Sequence, residues 1–175
     1  AIEEVGGPPV ILKLLRGTQG TGVIVADSLA SARSMMDAVW SLGEDILVQR
    51  YVSESHGRDL RVMVIGGEVV AAMRRHAREG EFRSNIHRGG VGEAISLPRS
   101  VERIAIQAAR VVGLEVAGVD ILESKAGPVL LEVNSSPGFQ GLEEATGLDI
   151  ALRIMEHALK MAGERKKLCA TGPSR

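Results

Sequence analysis

The sequence predicts an α+β fold of antiparallel sheets with packed helices, and three observations carry that expectation. β-Branched-rich runs come in pairs around short turns: residues 60–65 (LRVMVI) and 68–73 (EVVAAM) flank Gly66-Gly67, and residues 116–122 (VAGVDIL) and 129–134 (VLLEVN) flank 123–128, which contains Gly127-Pro128. Three segments, 29–42, 100–113 and 150–162, repeat apolar residues at helical spacing. Finally, with 45% hydrophobic and 25% charged residues, a 175-residue chain can bury one real core or two small subdomains sharing an interface.

The same composition narrows the function classes. A net charge of −1 argues against direct nucleic-acid binding or a membrane surface, and 2% aromatic residues leave no base-stacking platform. The lone Cys169 cannot form an internal disulfide, no apolar run approaches a membrane span, and no signal peptide opens the chain, so a cytoplasmic location is expected. The absence of an initiator Met, with a buried-looking strand soon after, suggests a fragment or a processed chain.

In chain order, residues 10–15 (VILKLL) form a short apolar run carrying one charge, Lys13, which such a strand rarely leaves buried and unpaired. The glycine-rich G-T-Q-G-T-G follows, with Gly17, Gly20 and Gly22. Its successive amides can form an anion nest reached by Lys13, although a flexible hairpin loop would show the same glycines. It matches neither the Walker nor the Rossmann pattern, because Gly22 leads into another strand, 23–26. Ser28 is placed to cap helix 29–42, closed by Gly43, with Leu29, Ala32, Met36, Val39 and Trp40 on its core face. Residues 46–52 (ILVQRYV) read as a strand leaving a sheet edge, whose free backbone groups suit a planar base, and a polar, turn-rich stretch follows up to Asp59.

After the Gly66-Gly67 hairpin, residues 74–90 concentrate five arginines and two histidines against two glutamates. Charge runs are usually solvated loops. Here the bracketing glycines and the embedded Phe82 and Ile86 suggest a loop folded over an anion, since arginine forks bind phosphate and carboxylate bidentately. The four histidines lack the spacing of a zinc site. Helix 100–113 stops at Gly113 and presents Val101, Ile104, Ala105, Ala108 and Val111-Val112 inward.

The 116–138 stretch organises the chain. A turn centred near Ala126 sets Asp120 opposite Glu132 and Gly118 opposite Asn134, and Glu132 and Asn134 share a face by strand alternation. Two facing carboxylates repel unless a cation lies between them. Hard oxygen ligands suit magnesium, which completes its shell with substrate phosphates, so the face predicts a nucleotide as well as a metal. Gly118 is expected to leave an empty space, and the turn at Ser135, Ser136, Pro137 and Gly138 to hold a substrate anion beside the metal. Asp149 caps the last helix, 150–162, which ends at Gly163 before a disordered tail, 164–175.

K-L-L-R-G-T-Q-G-T-G, F-R-S-N-I-H-R-G-G, A-G-V-D-I-L and L-E-V-N-S-S-P-G, in this order and spacing, resemble the ATP-grasp superfamily, and within it the RimK-type α-L-glutamate ligases. The resemblance covers nearly everything from Val10 to Gly163 and implies an ATP-grasp fold whose two subdomains grip the nucleotide: 1–51 as a partial small subdomain with the phosphate loop, 52–163 as the large one with the metal site. It further implies that Lys13 with Gly17, Gly20 and Gly22 grips phosphate, that Gln49, Arg50 and Tyr51 form the adenine hinge, and that Asp59 meets the ribose. Arg83, Ser84 and Asn85 would form the phosphate loop, and Asp120, Glu132 and Asn134 would bind Mg²⁺ or Mn²⁺, with Glu132 bridging two ions. Arg75 and Arg83 would neutralise the transferring phosphoryl group, and Ser136 and Gly138 would meet the substrate. The implied activity is ATP-dependent ligation of glutamate to an acceptor carboxylate, such as the C-terminus of a small-subunit ribosomal protein, a small-molecule cofactor or an amino-acid carrier protein. A homo-oligomer is possible. Two departures stand out: family members usually carry an acid where Arg50 stands, and they have an N-terminal domain and a further phosphate-binding lysine upstream of Val10. A truncated, non-catalytic nucleotide-binding module is therefore the competing expectation.

Overall fold

The computed structural model describes residues 1–16, 22–78, 81, 84 and 90–170, with side chains as far as Glu164. The chain divides into two compact units, Ala1–His56 and Gly57–Arg175, a boundary somewhat beyond the expected one after Tyr51.

In the first unit, β1 (Val10–Leu14), β2 (Val23–Ala26) and β3 (Ile46–Arg50) form an antiparallel sheet in the order β2-β1-β3. Central β1 buries Val10 and Leu12 against Ala26 of β2 and Ala32 of α1 (Leu29–Ser41). Ser28 caps α1 in a reciprocal capping box with Ser31, which satisfies amides that a helix start leaves without partners. The expected core face is only partly realised. Leu29 and Trp40 are exposed, whereas Ala32 and Met36 pack as expected and Met35 joins them. Gly22 ends the loop before β2 at φ +77°, a backbone conformation that L side chains avoid, and a Cβ there would meet the Leu14 side chain at 2.9 Å.

The second unit is a five-stranded antiparallel sheet in the order β6-β5-β4-β7-β8, formed by β4 (Arg58–Ile65), β5 (Glu68–His76), β6 (Val91–Ala94), β7 (Val116–Ser124) and β8 (Gly127–Asn134). Strand alternation gives its faces different fates. On one face Leu60, Val62, Val64, Ala72, Val119 and Ile121 pack under α2 (Arg99–Val111) through Val101, Ala105, Ala108 and Ala109. On the other, Met63, Ile65, Ala71 and Met73 pack under Leu142 of α3 (Gln140–Thr146) and Ile150 of α4 (Ile150–Ala170), while Asp59, Arg61, Arg75 and Asp120 continue the same face as buried charge.

Several expectations change. Strands β4 and β5 run beyond residues 60–65 and 68–73, drawing Asp59 and Arg75 out of the expected loops into the sheet as directly paired residues. Val111 and Val112, expected inside, are exposed at the end of α2. Helix α4 is capped by Asp149, whose Oδ1 accepts from Leu152 N at 2.7 Å, but it continues past Gly163 to Ala170, through the first part of the expected disordered tail, whose remainder, 171–175, lies outside the described residues. A glycine costs only about 1 kcal/mol inside a helix, too little to stop one whose flanks favour it. Helix α3 and strand β6 were not foreseen.

Candidate functional site

The site grows from the β7–β8 hairpin. Lys125 and Ala126 form a two-residue turn, with Ser124 paired to Gly127 and Ile121 to Leu130. Continued regularly, that register would set Leu131 opposite Asp120 and turn Glu132 to the other face. A β-bulge between Asp120 and Ile121 absorbs the extra residue, and Asp120 pairs with Glu132 and Gly118 with Asn134, as the sequence predicts. The expected register is therefore correct, but it depends on an irregularity that the sequence does not announce.

Around Asp120 the sheet assembles a buried chain of charges. Arg75 donates through Nε and Nη2 to the two Asp59 carboxylate oxygens, each at 2.6 Å, and its Nη2 lies 2.9 Å from Asp120 Oδ2. Arg61, directly across from Asp120 on β4, donates from Nη2 to the same Oδ2 at 2.8 Å, with its Nε beside Oδ1. Among the described residues Asp120 Oδ1 accepts no hydrogen bond, although it is buried. Burial pushes the Asp120 carboxyl above its usual range against the pull of Arg75 and Arg61, and the Glu132 charge adds to the rise. Burial also opposes the charge on Arg75, but Asp120 and Asp59 more than offset it, and the guanidinium is held more firmly protonated than usual. At the rim, Glu132 is exposed, and Asn134 Nδ2 donates to Glu132 Oε1 at 3.2 Å and to the Gly118 carbonyl at 3.3 Å, turning its amide oxygen away from both.

These residues fit a hard divalent cation. Asp120 Oδ1 is buried and paired only with the Arg61 Nε charge, without a hydrogen bond, Glu132 faces it as an exposed carboxylate that raises its proton affinity, and the Asn134 amide is pinned through its nitrogen. No three Asp, Glu, His or Cys side chains converge among the described residues, and the group at this hairpin is two carboxylates and an amide. Magnesium and manganese use such sparse sets when water and phosphate complete the shell.

The other expected site residues are distributed as follows. Asp59 does not stand free for a ribose: both of its oxygens are taken by Arg75, and it is 3% exposed. Arg75, at 4% exposure, is likewise committed to two carboxylates, so its charge is not on offer to a phosphoryl group; it braces Asp120. The space opposite Asn134 is not empty, because Pro137 and Arg61 close over Gly118. Ser136 and Gly138 are exposed in the turn after β8, and Ser84 is buried. In the first unit, Lys13 is half-buried in β1, and Gln49, Arg50 and Tyr51 lie on or just past the edge strand β3, with Arg50 exposed. Gly17, Gly20, Arg83 and Asn85 lie outside the described residues. Arg61 was missed: an arginine inside the apolar run LRVMVI, opposite an aspartate in the next hairpin, is the signal that would have found it.

The two antiparallel sheets with their helices form the fold of ATP-grasp ligases. The chain superposes on D-alanine–D-alanine ligase from Bacillus anthracis complexed with ATP with a TM-score of 0.69 at 18% identity, covering 93% of this chain and 56% of that one. It superposes on the ATP-grasp ligase PsnB, complexed with a phosphomimetic variant of a minimal precursor, Mg and ADP, with a TM-score of 0.66 at 26% identity over 91% of this chain and 48% of that one. Within that class, residues 1–158 match the RimK-like ATP-grasp domain, and the chain belongs to that family. Among curated proteins it is 52% identical over 161 residues to a probable alpha-L-glutamate ligase of Marinomonas sp., covering 92% of this chain and 54% of that protein. It is also 52% identical over 165 residues to a protein of the same name from Aeromonas salmonicida, covering 94% of this chain and 55% of that one. The chain thus spans about half the length of the curated relatives it matches.

Proposed function

We propose that this chain carries the metal and nucleotide site of an ATP-dependent carboxylate–amine ligase that joins L-glutamate to an acceptor carboxylate. The observation that supports this most is the bulge-corrected pairing of Asp120 with Glu132, with Asn134 beside it. Asp120, Glu132 and Asn134 would hold Mg²⁺ or Mn²⁺, with Glu132 the ligand that could serve more than one ion, and the cation would supply charge neutralisation at the nucleotide phosphates. The acceptor carboxylate attacks the γ-phosphorus and ADP leaves. The glutamate amine then attacks the acyl-phosphate carbonyl and expels phosphate. No protein nucleophile is needed, so the protein's work is positioning, charge stabilisation and exclusion of water.

The chain's own residues divide that work. Arg75 and Arg61 hold Asp120 in place, Asn134 orients Glu132, and the turn at Ser136 and Gly138 lies beside the metal ligands to receive a substrate carboxylate. Lys13 with its glycine loop, and Arg83 with Ser84 and Asn85, take the phosphate oxygens, while the free edge of β3 at Gln49, Arg50 and Tyr51 takes the adenine through backbone groups. The names of the relatives support glutamate as the amine. The PsnB complexes with precursor peptides support a peptide acceptor, and a ribosomal-protein C-terminus is one such acceptor.

The test is ATP consumption with glutamate and a panel of carboxylate acceptors, including peptides with free C-termini, compared between the native chain and Glu132→Gln. This isosteric change removes the shared charge and should lower turnover by at least about a hundredfold, the range in which electrostatic stabilisers act, with the circular dichroism spectrum unchanged. Turnover that survives Glu132→Gln overturns the assignment of the metal site.

A further inference from the structure

The charges around Asp120 are arranged unusually for a site meant to attract a cation. Asp59, Arg75, Asp120 and Arg61 are all buried, and their charges cancel in a continuous chain of contacts from Asp59 Oδ1 to Arg61 Nε. Two guanidiniums, not one, converge on Asp120 Oδ2. Glu132, cross-strand from Asp120, has no cationic partner among the described residues and is the only charge left over there, so the site as built offers little net negative charge to a bare divalent ion.

Resting on the metal–nucleotide reading above, we propose that Arg61 is a positioning residue that makes the site selective for a cation already bound to nucleotide phosphate and poor for the free cation. It acts through Asp120. Its fork fixes the orientation of that carboxylate within the sheet, and its positive charge, beside Oδ1, opposes an incoming dication. Phosphate oxygens arriving with the ion bring the negative charge the protein withholds, and the complex then meets an Asp120 that is already oriented. Arg61 is well placed for both effects. It lies directly across from Asp120 in the β4–β7 ladder, it is 8% exposed and so little screened by water, and its Nη1 is held in the narrow gap over Gly118 that no Cβ could share comfortably. Arg75 reaches Asp120 only through Nη2, at Oδ2, because its fork is held by Asp59, and it leaves Oδ1 to Arg61.

The test uses Mn²⁺ alone and Mn²⁺ with ADP as probes, with bound Mn²⁺ measured by electron paramagnetic resonance on the native chain, Arg61→Gln and Arg61→Lys. The native chain should bind Mn²⁺ alone at least about thirtyfold more weakly than Mn²⁺ with ADP, and Arg61→Gln should shrink that ratio by about tenfold, the scale on which a close like charge acts. Arg61→Lys, which keeps the charge but loses the fork, should restore most of the ratio. A merely structural role for Arg61 would weaken both affinities together and leave the ratio where it was. An unchanged ratio in a folded Arg61→Gln overturns the inference, and so does a native chain that binds Mn²⁺ equally well with and without ADP, a comparison that needs no variant to fold. A native chain that binds no Mn²⁺ even with ADP overturns the metal–nucleotide reading itself, and this inference with it.

Discussion

Gly118 shows how closely the site is filled. A Cβ at this position would lie 2.6 Å from Pro137 Cβ and 3.1 Å from Arg61 Nη1, and Pro137 is a rigid ring in the turn that carries Ser136 and Gly138. Gly118→Ala must therefore displace either that turn or the arginine that holds Asp120. The expected cost is about 1–3 kcal/mol of stability, the usual range for overpacking, read from the midpoint of urea denaturation. A loss below about 0.5 kcal/mol, the level of an ordinary surface change, would show that the turn yields freely. The same scale decides between the two carboxylates of the pair. Asp120 is buried and compensated, Glu132 is exposed and uncompensated, and so the charge that responds to a cation is mainly that of Glu132.

Elements succeed here by bringing together residues the sequence keeps apart. Helix α3 has only seven residues, yet its Leu142 is fully buried against Met63, Met73 and Ile150, and its Glu143 Oε1 accepts from the amides of Ile150 and Ala151 at 2.8 and 3.2 Å. It thereby supplies part of the lid over the apolar half of the sheet and a second cap for α4. Leu142→Ala should cost roughly 2–5 kcal/mol, the range for a fully buried leucine, as a lower thermal midpoint. Because Met63 and Met73 border Arg61 along the same face, loosening this cluster should also weaken binding of Mn²⁺ with ADP. A variant that loses stability but keeps that affinity would separate the two halves of the face.

At the level of the whole chain, each unit has its own core: Val10, Leu12, Ala26 and Ala32 in the first, and the clusters on both faces of the five-stranded sheet in the second. No helix among the described residues is long and apolar enough to cross a membrane. A ligand that binds only the folded chain raises its stability by mass action, by about 2.7 kcal/mol at a hundred times its dissociation constant. Saturating Mn²⁺ with ADP should therefore raise the melting temperature measurably, whereas Mn²⁺ alone at the same concentration should do little. Equal shifts by differential scanning calorimetry would show that the cation is held without phosphate. Arg50→Glu probes the first unit. If the edge of β3 holds adenine with one acceptor missing, the new carboxylate should tighten ATP binding by about 1 kcal/mol, and titration calorimetry showing unchanged or weaker binding would mean that adenine is held by backbone groups alone.

What the sequence determined by itself was local and periodic. The hairpin turns, most of the apolar stripes of the helices and the caps at Ser28 and Asp149 follow from backbone preferences and periodic repeats that operate within a few residues of each other. The four family motifs were also legible, because their residues are contiguous in the chain. The tertiary structure alone decided what the charged residues do. The family resemblance made Asp59 and Arg75 ligand contacts, and only the pairing of β4 with β5 and β7 shows that they neutralise each other and Asp120 inside the sheet. Arg61 was hidden for the same reason, since its partner lies 59 residues away. The bulge before Glu132 was invisible because it corrects a register that no short-range pattern records. A charge's role depends on its burial and its neighbours, and in this fold both are settled by which strands meet.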